Sequence, residues 1–251
     1  MRWATLFLVG CSAGDVQQSS TSVDGGRYLS FAPKDAGEQV LIYFHPYNST
    51  PEAARERSWM QEGLREYGVV GVFPEGVNRT WAHTGSPSDA RDELAFFDAV
   101  VSDVRERWSP ETVFVSGFSQ GGSMAWDVAC YRGDEIDAVF PVSGAFWEPL
   151  PETCPTAVRL RHTHGTSDQT VPMSGRPIGS SRQGDVVAGM AVWQRTNGCA
   201  QDAVEEVIEG PSTCQVWSCA SGREVQLCLH NGGHRPPEGW LDRNLGWAIG
   251  R

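Results

Sequence analysis

Positive charge is scarce in this chain: 20 lysines and arginines stand against 31 aspartates and glutamates, a formal net charge of -11. A net acidic protein repels phosphate backbones and anionic bilayers, which argues against nucleic acid as a partner and against a membrane surface held by charge. Long hydrophobic runs are missing near the start as well, where the apolar stretch from Trp3 to Val9 is too short to span a bilayer. No C-x-x-C pair occurs among the seven cysteines, and the six histidines match no common zinc spacing. We therefore expect neither a metal nor another cofactor. Internal repeats and a second domain are also lacking; 251 residues, 40% of them hydrophobic, suit one large domain with a full core.

What is present begins with an export pattern: Arg2, a short apolar run, then small residues. Residues 1–10 read as a signal peptide, and Leu8-Val9-Gly10-Cys11 resembles a bacterial lipobox in which Cys11 would carry lipid. A lipid at Cys11 would be the protein's one membrane attachment, and its location would be extracellular or in the cell envelope. Residues 11–26, mostly Ser, Gln, Gly, Asp and Thr, read as a flexible tether, and 27–251 as a single domain. Setting Cys11 aside leaves six cysteines, an even number that in an exported chain points to three disulfides among fifteen possible connectivities. A hairpin turning near Ala220 to Gly222 would set Cys214 across from Cys228; Cys199 with Cys219 and Cys130 with Cys154 complete the pairing we expect.

Short apolar strands alternate with amphipathic helices along the rest. Strands are expected at 27–32, 40–44, 69–73, 112–117, 138–142 and 156–164, with a hairpin at 214–219 and 224–229. Thr50-Pro51 opens a helix that closes at Gly68. Further helices are expected at 89–108, where Leu94, Phe97, Val101, Val104 and Trp108 share a face, at 122–131, at 185–196, and around Leu241, Leu245 and Ala248. This alternation predicts an α/β fold with a mostly parallel central sheet covered by helices on both faces.

One strand ends in Gly117-Phe118-Ser119-Gln120-Gly121, a pattern that sets a serine on a sharp strand-to-helix turn with its hydroxyl exposed. A serine is a poor nucleophile until a base takes its proton and an acid orients that base. In the order serine, acid, histidine, Asp168 follows a strand in a Gly/Ser/Thr loop, and His234 follows Gly232-Gly233 between the last strand and the last helix. His230 is expected to bond locally, His164 to line the site floor, and His83 to be an exposed structural residue. Backbone N–H groups for an oxyanion are expected from Gln120, next after the serine, and from Tyr47, since Pro46 has none.

Taken together these motifs resemble the α/β-hydrolase superfamily, and within it the secreted polyhydroxybutyrate depolymerase, feruloyl esterase and acetyl xylan esterase group. The likeness runs from about Arg27 to the last helix: a strand ending at His45, the serine turn followed by Met124-Ala125, His164-Gly165-Thr166 through Asp168 to Val171-Pro172, Trp193, Asn197-Gly198-Cys199 and Gly232-Gly233-His234. The resemblance implies an α/β-hydrolase fold and an exported serine esterase acting through Ser119, His234 and Asp168 on a feruloyl or acetyl ester borne by a polysaccharide, or on an aliphatic polyester. A peptidase or thioesterase on the same fold, or a surface binding protein that has lost activity, are the alternatives. The chain departs from the family pattern in having His45-Pro46 where His-Gly is usual, and Arg235-Pro236-Pro237 where an aromatic residue often follows the histidine. Oligomeric state is left open by the sequence.

Overall fold

Alternation within the buried strands decides how the layers form. In β3, Val40, Ile42 and Phe44 face one side and Leu41 and Tyr43 the other, and all are buried, so the sheet needs helices on both faces. The computed structural model describes residues 16–251; the expected signal peptide and Cys11 lie outside the described residues. In chain order the elements are β1 (Val16–Val23), β2 (Gly26–Pro33), β3 (Gln39–Phe44), α1 (Pro51–Arg55), α2 (Ser58–Tyr67), β4 (Val70–Pro74), α3 (Glu93–Trp108), β5 (Thr112–Gly117), α4 (Gln120–Tyr131), β6 (Ala138–Val139) and β7 (Arg159–Gly165). A small hairpin of β8 (Arg176–Ile178) and β9 (Ser181–Gln183) precedes α5 (Val186–Asn197), β10 (Glu205–Glu209), β11 (Ser212–Trp217), β12 (Val225–His230) and α6 (Trp240–Ile249).

Across the large sheet the strand order is β1-β2-β4-β3-β5-β6-β7-β12-β11-β10. The stretch from β4 to β12 is parallel, and antiparallel hairpins finish both edges. One core layer packs Phe97, Val101 and Val104 of α3 with Met124 and Trp126 of α4 and Trp193 of α5. The other packs Met60 and Leu64 of α2 with Leu241 and Leu245 of α6.

Several local expectations change. The tether reading fails for Val16–Val23, which pairs residue for residue with β2 through a turn at Asp24–Gly25. Composition misled because this is an edge strand: Gln17, Gln18, Ser20 and Ser22 stay in water, while its backbone hydrogen bonds are supplied by β2. The helix from Thr50 is two helices, since Arg57 takes an extended backbone and restarts the chain as α2. α3 begins at Glu93, because the Asp92 carboxylate caps the N–H groups of Leu94 and Ala95. β6 keeps only two residues, although it lies between β5 and β7; Pro141 interrupts it, and pairing resumes as single bridges at Val142. The short strands β8, β9 and β10 carried no clear apolar alternation.

Three disulfides join Cys130 to Cys154, Cys199 to Cys219 and Cys214 to Cys228. The last links facing residues of β11 and β12.

The loop between β4 and α3 crosses the sheet's upper edge and is fastened from below by two buried carboxylates. Glu93 accepts from the Ala82 N–H at 3.1 Å and pairs with Arg91 at 2.6 Å; Asp127, on α4, accepts from the Thr84 N–H at 3.2 Å. Burial pushes the Asp127 carboxyl up to about 6, with its Thr84 bonds opposing and nearby Glu93 adding to the rise. A raised folded-state value means that the stabilisation tied to protonated Asp127 is full below its ordinary 3.8 and lost as pH rises through about 6. Asp127→Asn is therefore expected to gain stability relative to the parent between about pH 5 and about pH 8, by on the order of 2 kcal/mol. Denaturant melts of both proteins at the two pH values check this; an unchanged difference would refute it.

Candidate active site

The serine turn is built by close backbone contact. Ser119 stands between β5 and α4 with φ 59° and ψ -123°, a conformation rarely adopted by a side-chain-bearing residue, and its N–H is held by the Val142 carbonyl at 3.0 Å. Above β3 the first turn of α4 lies directly on the backbone: a Cβ on Gly121 would sit 2.1 Å from the Phe44 carbonyl oxygen, and one on Gly117 2.2 Å from that of Gly121. Only glycine fits at both places.

Asp168 and His234 are brought to the same spot by neighbouring strands. β7 and β12 pair in parallel, and the loops leaving them are bonded to each other: Thr166 N–H to the His230 carbonyl at 2.8 Å and Ser167 N–H to the Gly232 carbonyl at 3.1 Å. Across this junction His234 Nδ1 lies 2.7 Å from Asp168 Oδ2, and His234 Nε2 lies 2.8 Å from Ser119 Oγ. The carboxylate therefore accepts from Nδ1–H, leaving Nε2 to accept from the serine hydroxyl. The second oxygen, Asp168 Oδ1, accepts from the N–H groups of Thr170 and Val171 at 2.8 and 2.9 Å. Burial alone would raise the Asp168 pKa, but the bonds from His234, Val171 and Thr170 outweigh it and the net shift is downward, which keeps the group ionised. The Phe118 ring packs against the His234 ring at 4.8 Å.

The loop after β3 is stiffened rather than opened by Pro46. His45 turns into the protein, where Nε2 accepts from the Gly76 N–H at 3.1 Å and Nδ1–H donates to the Pro46 carbonyl at 2.9 Å. Ser49 N–H closes a turn on that same carbonyl, and Asn48 N–H bonds to Arg79. Among the described residues no acceptor takes the N–H of Tyr47 or that of Gln120. The Gln120 side chain is engaged with Thr80 at 2.7 Å, so it ties the turn to the overlying loop.

Sequence reading missed a chain of buried rings beneath Asp168. Trp126 Nε1–H, which can only donate, bonds to His162 Nδ1 at 3.2 Å; this sets His162 Nε2–H toward His164 Nδ1 at 2.9 Å, and His164 Nε2–H toward the Val171 carbonyl at 2.8 Å. His164 Nε2 is also 3.6 Å from Asp168 Oδ2. Burial lowers the pKa of both histidines, so the chain holds the acid's loop with neutral rings. The signal was their spacing: residues two apart on one strand face the same side. His230 bonds locally, accepting from Gly232 N–H at 3.1 Å. His83 is not exposed; it is 3% accessible and packed edge-on to Trp147, and burial pushes its pKa down to about 4. Trp193 and Asn197 serve the core, Trp193 by stacking on Phe146 and Asn197 by donating to the Val158 carbonyl at 2.7 Å.

Residues 94–180, which include the serine turn and Asp168, match the phospholipase/carboxylesterase family model. The chain has the α/β-hydrolase fold. Its relatives are named as carboxylic ester hydrolases. It is similar to feruloyl esterase D of Neurospora crassa, 26% identical over 257 residues that cover 91% of this chain and 82% of that one. To feruloyl esterase C of Emericella nidulans it is 28% identical over 180 residues, 69% of this chain and 59% of the other. Among solved structures, acetyl xylan esterase from Aspergillus awamori shares the fold with a TM-score of 0.67 at 12% identity, covering 94% of this chain and 99% of that one. An esterase of Pyrococcus furiosus does so with a TM-score of 0.63 at 14% identity, covering 93% and 92%.

Because a Cβ at position 121 would meet backbone oxygen rather than a movable side chain, Gly121→Ala is expected to destabilise the protein by roughly 3 kcal/mol or more. A denaturant midpoint equal to that of the parent would contradict this account of the turn.

Proposed function

We propose that the protein is an exported serine esterase that hydrolyses a carboxylic ester borne by a polysaccharide through an acyl-enzyme. The observation that carries the reading is the continuous line of hydrogen bonds from Ser119 Oγ through His234 to Asp168, with bond lengths of 2.8 and 2.7 Å. In this reading His234 Nε2 takes the serine proton as Oγ adds to the ester carbonyl. The N–H groups of Tyr47 and Gln120 receive the developing oxyanion. His234 then gives the proton to the departing alcohol, leaving an ester of Ser119 and the acid. Water enters, loses a proton to His234, and adds to that ester; collapse frees the acid and restores the serine. Asp168, held by two backbone N–H groups, orients the imidazole and balances its transient charge.

The polysaccharide ester is favoured because the two relatives compared above are feruloyl esterases; an aliphatic polyester has no such support. Export is favoured by the three disulfides, which a reducing cytoplasm would not maintain. Residues 1–10 would then be the signal that directs it, with Cys11 the candidate anchor.

Purified, oxidised protein is expected to turn over a short nitrophenyl ester, and Ser119→Ala to lose that activity by about three orders of magnitude or more with little change in stability. Turnover surviving in Ser119→Ala would remove Ser119 as nucleophile. No turnover by the parent on any ester would favour a binding protein instead.

A further inference from the structure

A cleft of about 650 Å³ lies between α2 and the segment from His234 to Asp242. Its wall includes His234, Phe118 and Pro46 but neither Ser119 nor Gln120, so it opens on the histidine side of the serine. In ester hydrolysis the base delivers its proton to the departing alcohol oxygen, which puts the alcohol half of the substrate on that side.

The composition of this wall specifies the chemistry of the alcohol. Trp59, at the start of α2, is 37% accessible and the one exposed tryptophan among the described residues. It is a held ring: Tyr43 and Trp240 meet it in edge contacts at 6.5 and 6.1 Å, and Trp240 is itself buried and anchored by its indole N–H to Thr163 Oγ1 at 3.2 Å. Beside it Arg57, Glu62 and Asp242 line the cleft, all exposed and none engaged in an ion pair or side-chain hydrogen bond among the described residues. A fixed indole face flanked by free planar polar groups suits a sugar ring, whose C–H face packs on the aromatic while adjacent hydroxyls donate in pairs to a carboxylate or accept in pairs from a guanidinium. An aliphatic polyester offers no hydroxyl donors along its chain to Glu62 and Asp242.

We propose that this cleft binds the glycosyl unit that carries the ester, with Trp59 as its stacking platform. The assignment deepens the esterase reading above and rests on it for the side of the serine that the alcohol occupies.

Two measurements test it. In the first, kcat/KM is compared for an acetylated xylo-oligosaccharide and for nitrophenyl acetate, which share an acyl group and differ in the alcohol. Trp59→Ala is expected to lower the ratio of the two values roughly tenfold, chiefly through KM for the sugar ester, and Trp59→Phe, which keeps an aromatic ring, to restore most of it. A ratio unchanged in Trp59→Ala would overturn the assignment. In the second, unesterified xylohexaose is titrated calorimetrically into Ser119→Ala protein, with binding expected there and its loss expected in Ser119→Ala/Trp59→Ala. Absence of binding to Ser119→Ala protein would overturn the cleft assignment while leaving the esterase reading intact. Binding that depends on Trp59 in a protein that hydrolyses no ester would support the cleft and sink the esterase reading.

Discussion

Close backbone packing between the start of α4 and the end of β3 is the constraint on which the rest of the site depends. The two main chains approach so nearly that no side chain fits at Gly121, and the chain can enter α4 only through the φ 59° conformation of Ser119. That strain lifts the hydroxyl off the sheet and leaves the Gln120 N–H at the free end of a helix, where the dipole favours negative charge. The same contact fixes the loop after β3 relative to the turn. Pro46 does not disturb this arrangement, because the residue that contributes an unclaimed N–H is the next one, Tyr47.

A second constraint is the pairing of β7 with β12. Asp168 and His234 are 66 residues apart in the chain, yet the parallel register sets their loops side by side and backbone bonds join them before any side chain does. Asp168 and His234 are thus oriented by main-chain geometry. The Cys214–Cys228 bond extends this rigidity outward by holding β11 to β12. Below the loops, the Trp126, His162 and His164 rings supply hydrogen bonds in a place where charged groups would be costly.

Helix packing on one face of the sheet also places the cleft beside the serine turn. α2 and α6 pack in the same core layer on one face of the sheet, and the cleft between α2 and the segment entering α6 begins beside His234. Tyr43, the exposed Trp59 and the buried Trp240 belong to three separate elements that become neighbours only through that packing.

Much of this was legible in the chain because the signals are local. The Gly-x-Ser-x-Gly turn, the caps at Thr50 and Gly68, and the alternation of β3 each follow from steric or hydrogen-bonding rules that act over a few residues. The order of Ser119, Asp168 and His234 along the chain likewise follows from one fold's connectivity. Other features were decided by neighbours far away in sequence. Val16–Val23 is a strand because β2 supplies its partners, not because its own residues would bury. His83 is buried because Trp147 packs against it, and Trp59 stands in a cleft because Trp240 comes up behind it. Composition and spacing describe what a segment offers; the burial, partner and accessible face it receives depend on segments brought beside it by the sheet, and these only the tertiary structure decided.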